Sequence, residues 1–420
     1  MTTAARDAMA SPTGTGSAAY AGLIADLRGA SRLAIEATMG VTGVVEAVHG
    51  TIAGLGRRSE RTRGITGFVY RCIGGVTGLV GSGLDAALAP LHRPTAAQPS
   101  SAGREALLAA LNGVVGDHLT VTGNPLAIAM RLRHDGKALE LKNATLRTAL
   151  PAVTERVLIQ IHGLCMNDLQ WARGGRDHGA AIARELGYTR LHLHYNSGLG
   201  VACNGREFAG LLEALVRAWP VRVSELAVVA HSMGGLIARS AHCHATAAGH
   251  EWPASLRKLI FLGTPHHGAA LERAGNGLDL LLGLSPYTLP FTRLGRIRSA
   301  GITDLRHGSL LEQDWEGLDR HGRVPQLRRQ PVPLPGGVAC HAVAAVRAQR
   351  ADTLASRLLG DGLVSVDSAL GVHPDARYAL HFPPSHQWLA RGTGHLDLVS
   401  DERVFERVAR WLAASGVGPR

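Results

Sequence analysis

The chain has 420 residues, of which 45% are hydrophobic and 18% are charged, so it carries enough apolar material to bury a sizeable core. The formal net charge is +11, but the basic residues are spread along the chain and only 4% of residues are aromatic, which argues against a nucleic-acid-binding surface. The five cysteines form no C-x-x-C pair, so we expect neither a disulfide framework nor a structural zinc site.

The start of the chain is small and polar, and we predict a disordered tail over residues 1–20. This tail has no basic segment followed by an apolar one, which a secretory signal would require. No run in the sequence reaches the roughly 18 apolar residues of a membrane-spanning helix. The expected location is therefore the cytoplasm, with peripheral membrane association as the alternative.

Two glycine-rich segments occupy residues 21–91, and the spacing of their apolar residues predicts a helical hairpin. Its connection is basic, with arginines at Arg57, Arg58, Arg61 and Arg63. Three arrangements fit: a hairpin packed on its own domain, one docked on a membrane or another apolar surface, and an oligomerisation helix pair. The second supports an alternative function, that of an interaction protein of membranes or storage granules with the hairpin as its main functional part.

The rest of the chain reads as a linker over residues 92–103 followed by one α/β domain over 104–420. Asp135 and Gly136 give a turn signal between two short strand patterns, which predicts an antiparallel hairpin at a sheet edge. From Glu155 onward, apolar runs alternate with helical patterns. This alternation predicts a mostly parallel sheet covered by helices on both faces.

An insertion over residues 270–335 interrupts the alternation and is too long for an ordinary loop. Its apolar part, residues 278–291, is expected to overhang the carboxyl ends of the predicted strands as a helical lid or an apolar wall. A gating lid and a plain helical cap fit the sequence equally well.

The strongest chemical signal is Ser232, which lies between a buried-strand pattern and a helical pattern. Small residues flank it two positions away on each side, at Ala230 and Gly234. This pattern is typical of a nucleophile elbow, a tight turn that exposes the serine hydroxyl. The alternative interpretation is a serine that caps the helix after a strand. A serine nucleophile also needs a base.

Candidate acids and bases follow later in the chain. Asp361 sits in a turn just before an apolar run, and Asp367 is its competitor. His395 lies in a glycine-rich loop before the last helical pattern, and histidine suits a general base because its side chain titrates near neutrality. His381 and His386 are weaker candidates because both fall in or beside a strand pattern.

Five motifs in this order resemble those of the α/β-hydrolase superfamily: HGLCMNDLQW, AHSMGG, LGTPHHGA, GDGLVSV and GTGHLDLVSD. Within it they are similar to bacterial lipases and esterases, including those grouped with GPI inositol-deacylase-like (PGAP1-like) proteins. The resemblance covers roughly residues 150–420. It implies an α/β-hydrolase fold with an antiparallel edge hairpin, to which this chain adds the lid insertion and the N-terminal helical hairpin.

The resemblance also implies the roles of the candidate residues: nucleophile Ser232, acid Asp361, base His395, and oxyanion-hole amides at Leu164 and Met233. The expected activity is hydrolysis of carboxylic esters through an acyl-enzyme, on a lipid-like or hydrophobic substrate. Thioester and amide cleavage would use the same residues. Neither a cofactor nor nucleic acid is expected to take part.

Several histidines need another explanation. His162, in the loop after a strand, is expected to brace that loop. The residues His242, Cys243 and His244 and the pair at 266–267 lack the spacing of a zinc site, so no metal is expected. The segment around the pair is expected to brace the floor of the active site.

Overall fold

The computed structural model describes residues 23–39, 77, 82–83, 101–175, 177–269, 299–320, 329–349 and 354–414. The predicted tail over 1–20, most of the hairpin over 21–91 with its four arginines, and the apolar segment 278–291 lie outside these residues. The corresponding expectations therefore stay predictions. None of the described helices combines the length and apolarity that crossing a membrane requires.

The chain divides into two compact units, one of Met1–Gln98 with Leu119–Ala127 and one of Pro99–His118 with Ile128–Arg420. In the first unit, α1 covers residues 23–39. Asn124 Nδ2 donates a hydrogen bond of 3.0 Å to the Gly29 carbonyl of α1. This contact attaches α1 to the later segment of the same unit.

The second unit is built on an eight-stranded sheet in the order β2-β1-β4-β3-β5-β6-β7-β8. β1 is antiparallel to β2 and β4, whereas all other neighbours are parallel, which confirms the predicted sheet and its antiparallel edge hairpin. The strands are β1 Arg131–His134, β2 Lys137–Ala138, β3 Arg156–Ile161, β4 Thr189–His194, β5 Glu225–His231, β6 Leu256–Leu262, β7 Ala339–Val346 and β8 Gln387–Arg391.

Helices flank this sheet. They are α2 Ala102–Val121, α3 Asn143–Ala149, α4 His178–Glu185, α5 Val201–Ala218, α6 Met233–Ala248, α7 Ala300–His307, α8 Leu354–Leu359, α9 Val366–Ala369 and α10 Glu402–Ala413. The first of them begins at Ala102, inside the segment predicted as a linker. Within the predicted lid insertion, the described part holds α7 and a short 3₁₀ turn over Glu312–Trp315.

The central strands are buried on both faces, as helices on both sides of a parallel sheet require. In β5, Leu226 and Val228 belong to one hydrophobic cluster, and Ala227 and Val229 belong to the other. Successive side chains of a strand point to opposite faces, so the uninterrupted apolar run of β5 supplies both cores. This double burial fixes the register of the strand that leads into Ser232.

Close packing of α5 on α6 depends on Gly205. A Cβ at this position would lie 2.6 Å from the Ser240 Cβ, closer than real side chains approach each other. We therefore expect Gly205→Ala to lower the free energy of unfolding by about 1–3 kcal/mol, as overpacking of a core usually does. Chemical denaturation of the purified variant would measure this change.

Gly210 provides the matched control on the same helix, because no heavy atom lies within 4 Å of a Cβ placed there. Gly210→Ala should raise the free energy of unfolding by up to about 1 kcal/mol, the difference in helix propensity. Equal responses of the two variants would contradict the packing explanation.

Candidate active site

Ser232 occupies the turn between β5 and α6, with a left-handed backbone (φ 54°, ψ −123°). Its amide donates to the Leu262 carbonyl of the neighbouring β6 at 2.8 Å, which holds the turn against the sheet. Two glycines make the sharp turn sterically possible. A Cβ at Gly234 would lie 2.8 Å from the His162 carbonyl oxygen, and one at Gly235 would lie 2.8 Å from Phe261.

Three of the predicted site residues meet at this turn. His395 Nε2 lies 2.8 Å from Ser232 Oγ, and His395 Nδ1 lies 2.7 Å from Asp361 Oδ2. All three residues are buried. Asp361 follows β7 and His395 follows β8, so the carboxyl ends of three strands supply the three side chains.

The Asp361 carboxylate is held by backbone groups. Its Oδ1 accepts hydrogen bonds from the amides of Leu363 and Val364 at 3.0 and 2.9 Å, which leaves Oδ2 facing His395. The His395 amide in turn donates to the Asp361 carbonyl at 3.1 Å. With the carboxylate accepting, His395 carries its proton on Nδ1, and Nε2 is free to accept from the Ser232 hydroxyl.

His231, the residue before the serine, is part of this arrangement although the sequence did not single it out. Its Nε2 lies 2.9 Å from the His395 carbonyl oxygen, and the two rings are 4.8 Å apart. Burial holds the pKa of His231 well below its usual value, so the ring is neutral. A neutral ring with Nε2 as donor fixes the loop that carries His395. The sequence signal that could have identified His231 is its position directly before the serine.

The weaker candidates lie elsewhere. Asp367 pairs with Arg357 at 2.8 Å, and 47% of its side chain is exposed. His381 is exposed. His386 Nδ1 lies 3.0 Å from the Cys340 carbonyl oxygen, and its ring is 4.0 Å from another histidine ring. Among the described contacts, none joins these residues to Ser232.

The loop after β3 passes beside the serine, since a Cβ at Gly163 would lie 3.0 Å from Ser232 Cβ. His162 is fully buried, and its ring stacks on Tyr195 at 4.3 Å between centroids. His162 Nδ1 lies 2.9 Å from the Gly163 carbonyl oxygen, which also accepts from the Met166 amide at 3.3 Å. Burial lowers the pKa of His162 to about 3, so this ring is a neutral donor.

These contacts orient the amide of Leu164. A trans peptide is planar, so the Leu164 N–H points away from the Gly163 carbonyl that His162 and Met166 hold. The second predicted donor, the Met233 amide, lies at the start of α6 directly after Ser232. In the part of the chain that the structure describes, no hydrogen bond occupies either amide. An unoccupied amide in the loop that passes Ser232 and another directly after the serine are backbone donors of the kind that stabilise a developing oxyanion in acyl transfer.

A buried charged cluster, which the sequence did not predict, lies at the far end of the same loop. Arg133 Nη1 is 2.9 Å from Glu105 Oε2 and 3.1 Å from Asp168 Oδ1, and His194 Nδ1 is also 3.1 Å from Asp168 Oδ1. Burial raises the pKa of Asp168, but the close contact with the His194 ring and the charge of Arg133 outweigh it and hold this pKa below its ordinary value.

The ligand atoms of Glu105, Asp168 and His194 lie within 4.8 Å of one another, so their chemistry would suit a divalent cation. The Arg133 guanidinium already supplies positive charge between the two carboxylates. We therefore interpret the cluster as an internal ion-pair network. Glu105 lies on α2, Arg133 on β1, Asp168 in the loop after β3, and His194 on β4. No sequence motif revealed these residues because they come from four separate elements.

Several buried histidines should make the fold sensitive to acid. Burial lowers the pKa of His162 and His341 to about 3 and of His192 and His267 to about 4, and it holds the pKa of His231 and His266 well below the usual value. Their unfolded value is near 6.5, so their stabilising contribution is complete above about pH 6.5 and is lost as the pH falls toward the folded values. Each group can remove about 1.4 kcal/mol per pH unit.

Asp304 acts in the opposite direction, because burial raises its pKa to about 6 and its protonation below that pH favours the folded state. Burial also raises the pKa of Glu207, but these histidines outnumber the two carboxyls, so the free energy of unfolding should fall between pH 6.5 and 4.5. Urea denaturation at a series of pH values would measure this slope.

A variant of His341 tests the assignment. Its ring stacks on Trp411 at 4.5 Å, and His341→Phe keeps a ring there without a titrating group. In this variant the free energy of unfolding should change less steeply with pH, by up to the contribution of one proton. His381→Gln, at an exposed position, should leave the pH dependence unchanged. If the free energy of unfolding of the unmodified protein did not change between pH 6.5 and 4.5, this expectation would be wrong.

The strand order and the strained serine turn define the class of protein: the chain has the α/β-hydrolase fold. A model of the family described as PGAP1-like alpha/beta domain matches residues 214–330. The matched segment includes β5, the serine turn, α6 and β6. No curated protein sequence matches the chain.

Solved structures similar to this chain include three lipases or esterases. Bacillus licheniformis lipase BlEst2 in its mature form is 16% identical, with a TM-score of 0.41, over 63% of this chain and 96% of that one. The Pyrococcus furiosus esterase Pf2001 is 13% identical, with a TM-score of 0.36, over 62% of this chain and 83% of that one.

Aspergillus fumigatus lipase B is 11% identical, with a TM-score of 0.39, over 67% of this chain and 60% of that one. All three TM-scores lie below 0.5, so we assign the fold from this chain's own strand order and serine turn.

Proposed function

We propose that the protein is a serine hydrolase that cleaves carboxylic esters through an acyl-enzyme intermediate. The observation that carries this proposal is the placement of His395, 2.8 Å from Ser232 Oγ on one side and 2.7 Å from Asp361 on the other. A nucleophile, a base and a group that orients the base are what this chemistry requires.

In the proposed reaction, Ser232 Oγ attacks the ester carbonyl while His395 Nε2 takes its proton. Asp361 stays ionised and stabilises the charged imidazole. The amides of Leu164 and Met233 stabilise the oxyanion. Collapse of the tetrahedral species gives an acyl-Ser232 ester, and the alcohol leaves with the proton from His395. Water, activated by the same histidine, then releases the acid and restores the serine.

We propose a lipid-like or hydrophobic ester as the substrate class. The support is the apolar run over residues 278–291 in the insertion that follows β6. β6 precedes β7, and β7 leads to Asp361. The insertion therefore starts at the carboxyl ends of the strands, where the three side chains also lie. Thioesters and amides belong to the substrate panel because the same residues can attack them.

A panel of p-nitrophenyl esters from acetate to palmitate, assayed with the full chain and with Ser232→Ala, tests the proposal. We expect turnover that depends on Ser232 and rises with acyl length up to an optimum. Labelling by a fluorophosphonate should add mass to a peptide that contains Ser232. Turnover that survives in Ser232→Ala would contradict the proposed nucleophile, and a flat length profile would contradict the hydrophobic substrate.

A further inference from the structure

Cys165 follows Leu164 in the loop beside the serine, and its backbone is left-handed, with φ at 58°. This conformation is unfavourable for any residue that carries a Cβ, so it persists only where surrounding contacts hold it. The residue that bears the strain is therefore adjacent to the amide proposed to stabilise the oxyanion. Relaxation at Cys165 would move that amide.

Three contacts hold Cys165 in place. Its amide donates a hydrogen bond of 3.0 Å to Ser197 Oγ, in the loop after β4. Its side chain lies against Gly113 of α2, where a Cβ would be 3.0 Å from Cys165 Cα and closer still to the sulfur. The first contact is directional and acts on the peptide bond that joins Leu164 to Cys165. The second limits the space available. The third is a long hydrogen bond of 3.9 Å from the Cys165 thiol to the Ala110 carbonyl of α2, and it acts on the side chain rather than on the peptide bond.

The Ser197 hydroxyl has a fixed position because the loop around it is itself well anchored. Asn196 Nδ2 donates to the Gly116 carbonyl of α2 at 2.9 Å, and Asn196 Oδ1 accepts from the Gly198 amide at 3.0 Å. Asn204 Nδ2 donates to the Asn196 carbonyl at 3.0 Å. Ser197 is only 2% exposed, so water cannot readily replace it as the acceptor.

We infer that Ser197 is a positioning residue for the oxyanion loop. His162 and Met166 fix the peptide before Leu164, and Ser197 fixes the peptide after it. The Leu164 N–H belongs to the first of these peptide planes, and the two planes meet at the Leu164 Cα. Without the Ser197 oxygen, the second plane is free to rotate, Cys165 can leave its left-handed conformation, and the resulting shift of the Leu164 Cα moves the Leu164 N–H away from the developing oxyanion. This inference rests on the proposed ester hydrolysis.

Steady-state kinetics of Ser197→Ala test the inference. Because an oxyanion donor acts on charge that develops in the transition state, kcat should fall by about 10- to 100-fold while KM changes by less than about threefold. Ser197→Thr keeps a hydroxyl and should retain most of the kcat. A merely structural serine would not give this separation of kcat from KM.

Ser240→Ala is the matched control, since Ser240 is equally buried and its hydroxyl donates one hydrogen bond of 2.7 Å to the Leu310 carbonyl. Both alanine variants should lower Tm by about 2–4 °C, but only Ser197→Ala should lower kcat. An unchanged kcat in folded Ser197→Ala would overturn the inference alone. A full chain without Ser232-dependent turnover would overturn the proposed function, and this inference with it.

Cys165→Gly provides a second test of the inference, which does not rely on the Ser197→Ala variant alone. Glycine adopts the left-handed conformation without penalty, so the loop needs less support from Ser197. In the Cys165→Gly background, the Ser197→Ala change should reduce kcat less than it does in the unmodified chain. Equal reductions in both backgrounds would overturn the role assigned to the strained residue.

Discussion

Replacing Ser232 with alanine should lower kcat for ester hydrolysis by about 10⁵- to 10⁶-fold, and replacing His395 with alanine should have a similar effect. The nucleophile and its base act as one unit, because the proton that Ser232 loses goes to the nitrogen 2.8 Å away. The double variant should therefore be no less active than either single variant. KM should change little, since neither side chain is assigned to substrate binding.

Asp361→Asn should reduce kcat by about 10⁴-fold, because an amide that donates to His395 Nδ1 favours the wrong tautomer of the ring. Asp367→Asn is the matched control, since this exposed carboxylate pairs with Arg357 away from the serine. Its activity should stay within about twofold of the unmodified chain, as for an ordinary surface substitution. If the Asp367 variant lost activity and the Asp361 variant kept it, the assignment of the acid would be wrong.

Arg133→Met should lower the free energy of unfolding by about 3–5 kcal/mol, the largest effect on stability that we expect. The guanidinium lies within 3.1 Å of two buried carboxylates, Glu105 and Asp168. Its removal leaves both carboxylates in the interior, with Glu105 3.9 Å from the more exposed Arg104 and Asp168 3.1 Å from the His194 ring. Methionine keeps the aliphatic volume of the side chain, so the loss measures charge rather than a cavity. Urea denaturation near pH 7 would measure it.

Arg131→Met is the control for this change, because Arg131 lies on the same strand with its side chain exposed. Its effect should stay within about 0.5 kcal/mol. Adding Asp168→Asn to Arg133→Met should recover part of the stability, since it removes one of the uncompensated charges. If Arg133→Met lowered the free energy of unfolding by less than about 1 kcal/mol, the ion pairs of Arg133 would contribute no more than ordinary surface ion pairs. That result would contradict the expected effect.

The sequence predicted those parts of the fold that are specified by local patterns. Uninterrupted apolar runs identified the central strands, and Asp135 and Gly136 identified the edge hairpin, where both residues have positive φ. The turn at Ser232 was visible because a strained turn between strand and helix needs small residues at fixed positions. By contrast, the bounds of β8 were not predicted and His386 was only placed in or beside a strand pattern, since Gln387–Arg391 mixes polar and apolar residues without a clear alternation.

The tertiary structure decided which distant residues meet. Sequence left Asp361 and Asp367 as competitors only six positions apart, and packing brings one to His395 and the other to Arg357. Ser197 carried no signal, because its partner Cys165 is 32 residues away. Local patterns depend on backbone conformation and burial, which neighbouring residues determine. Contacts between separate elements depend on how the sheet stacks those elements together, and no local pattern encodes that.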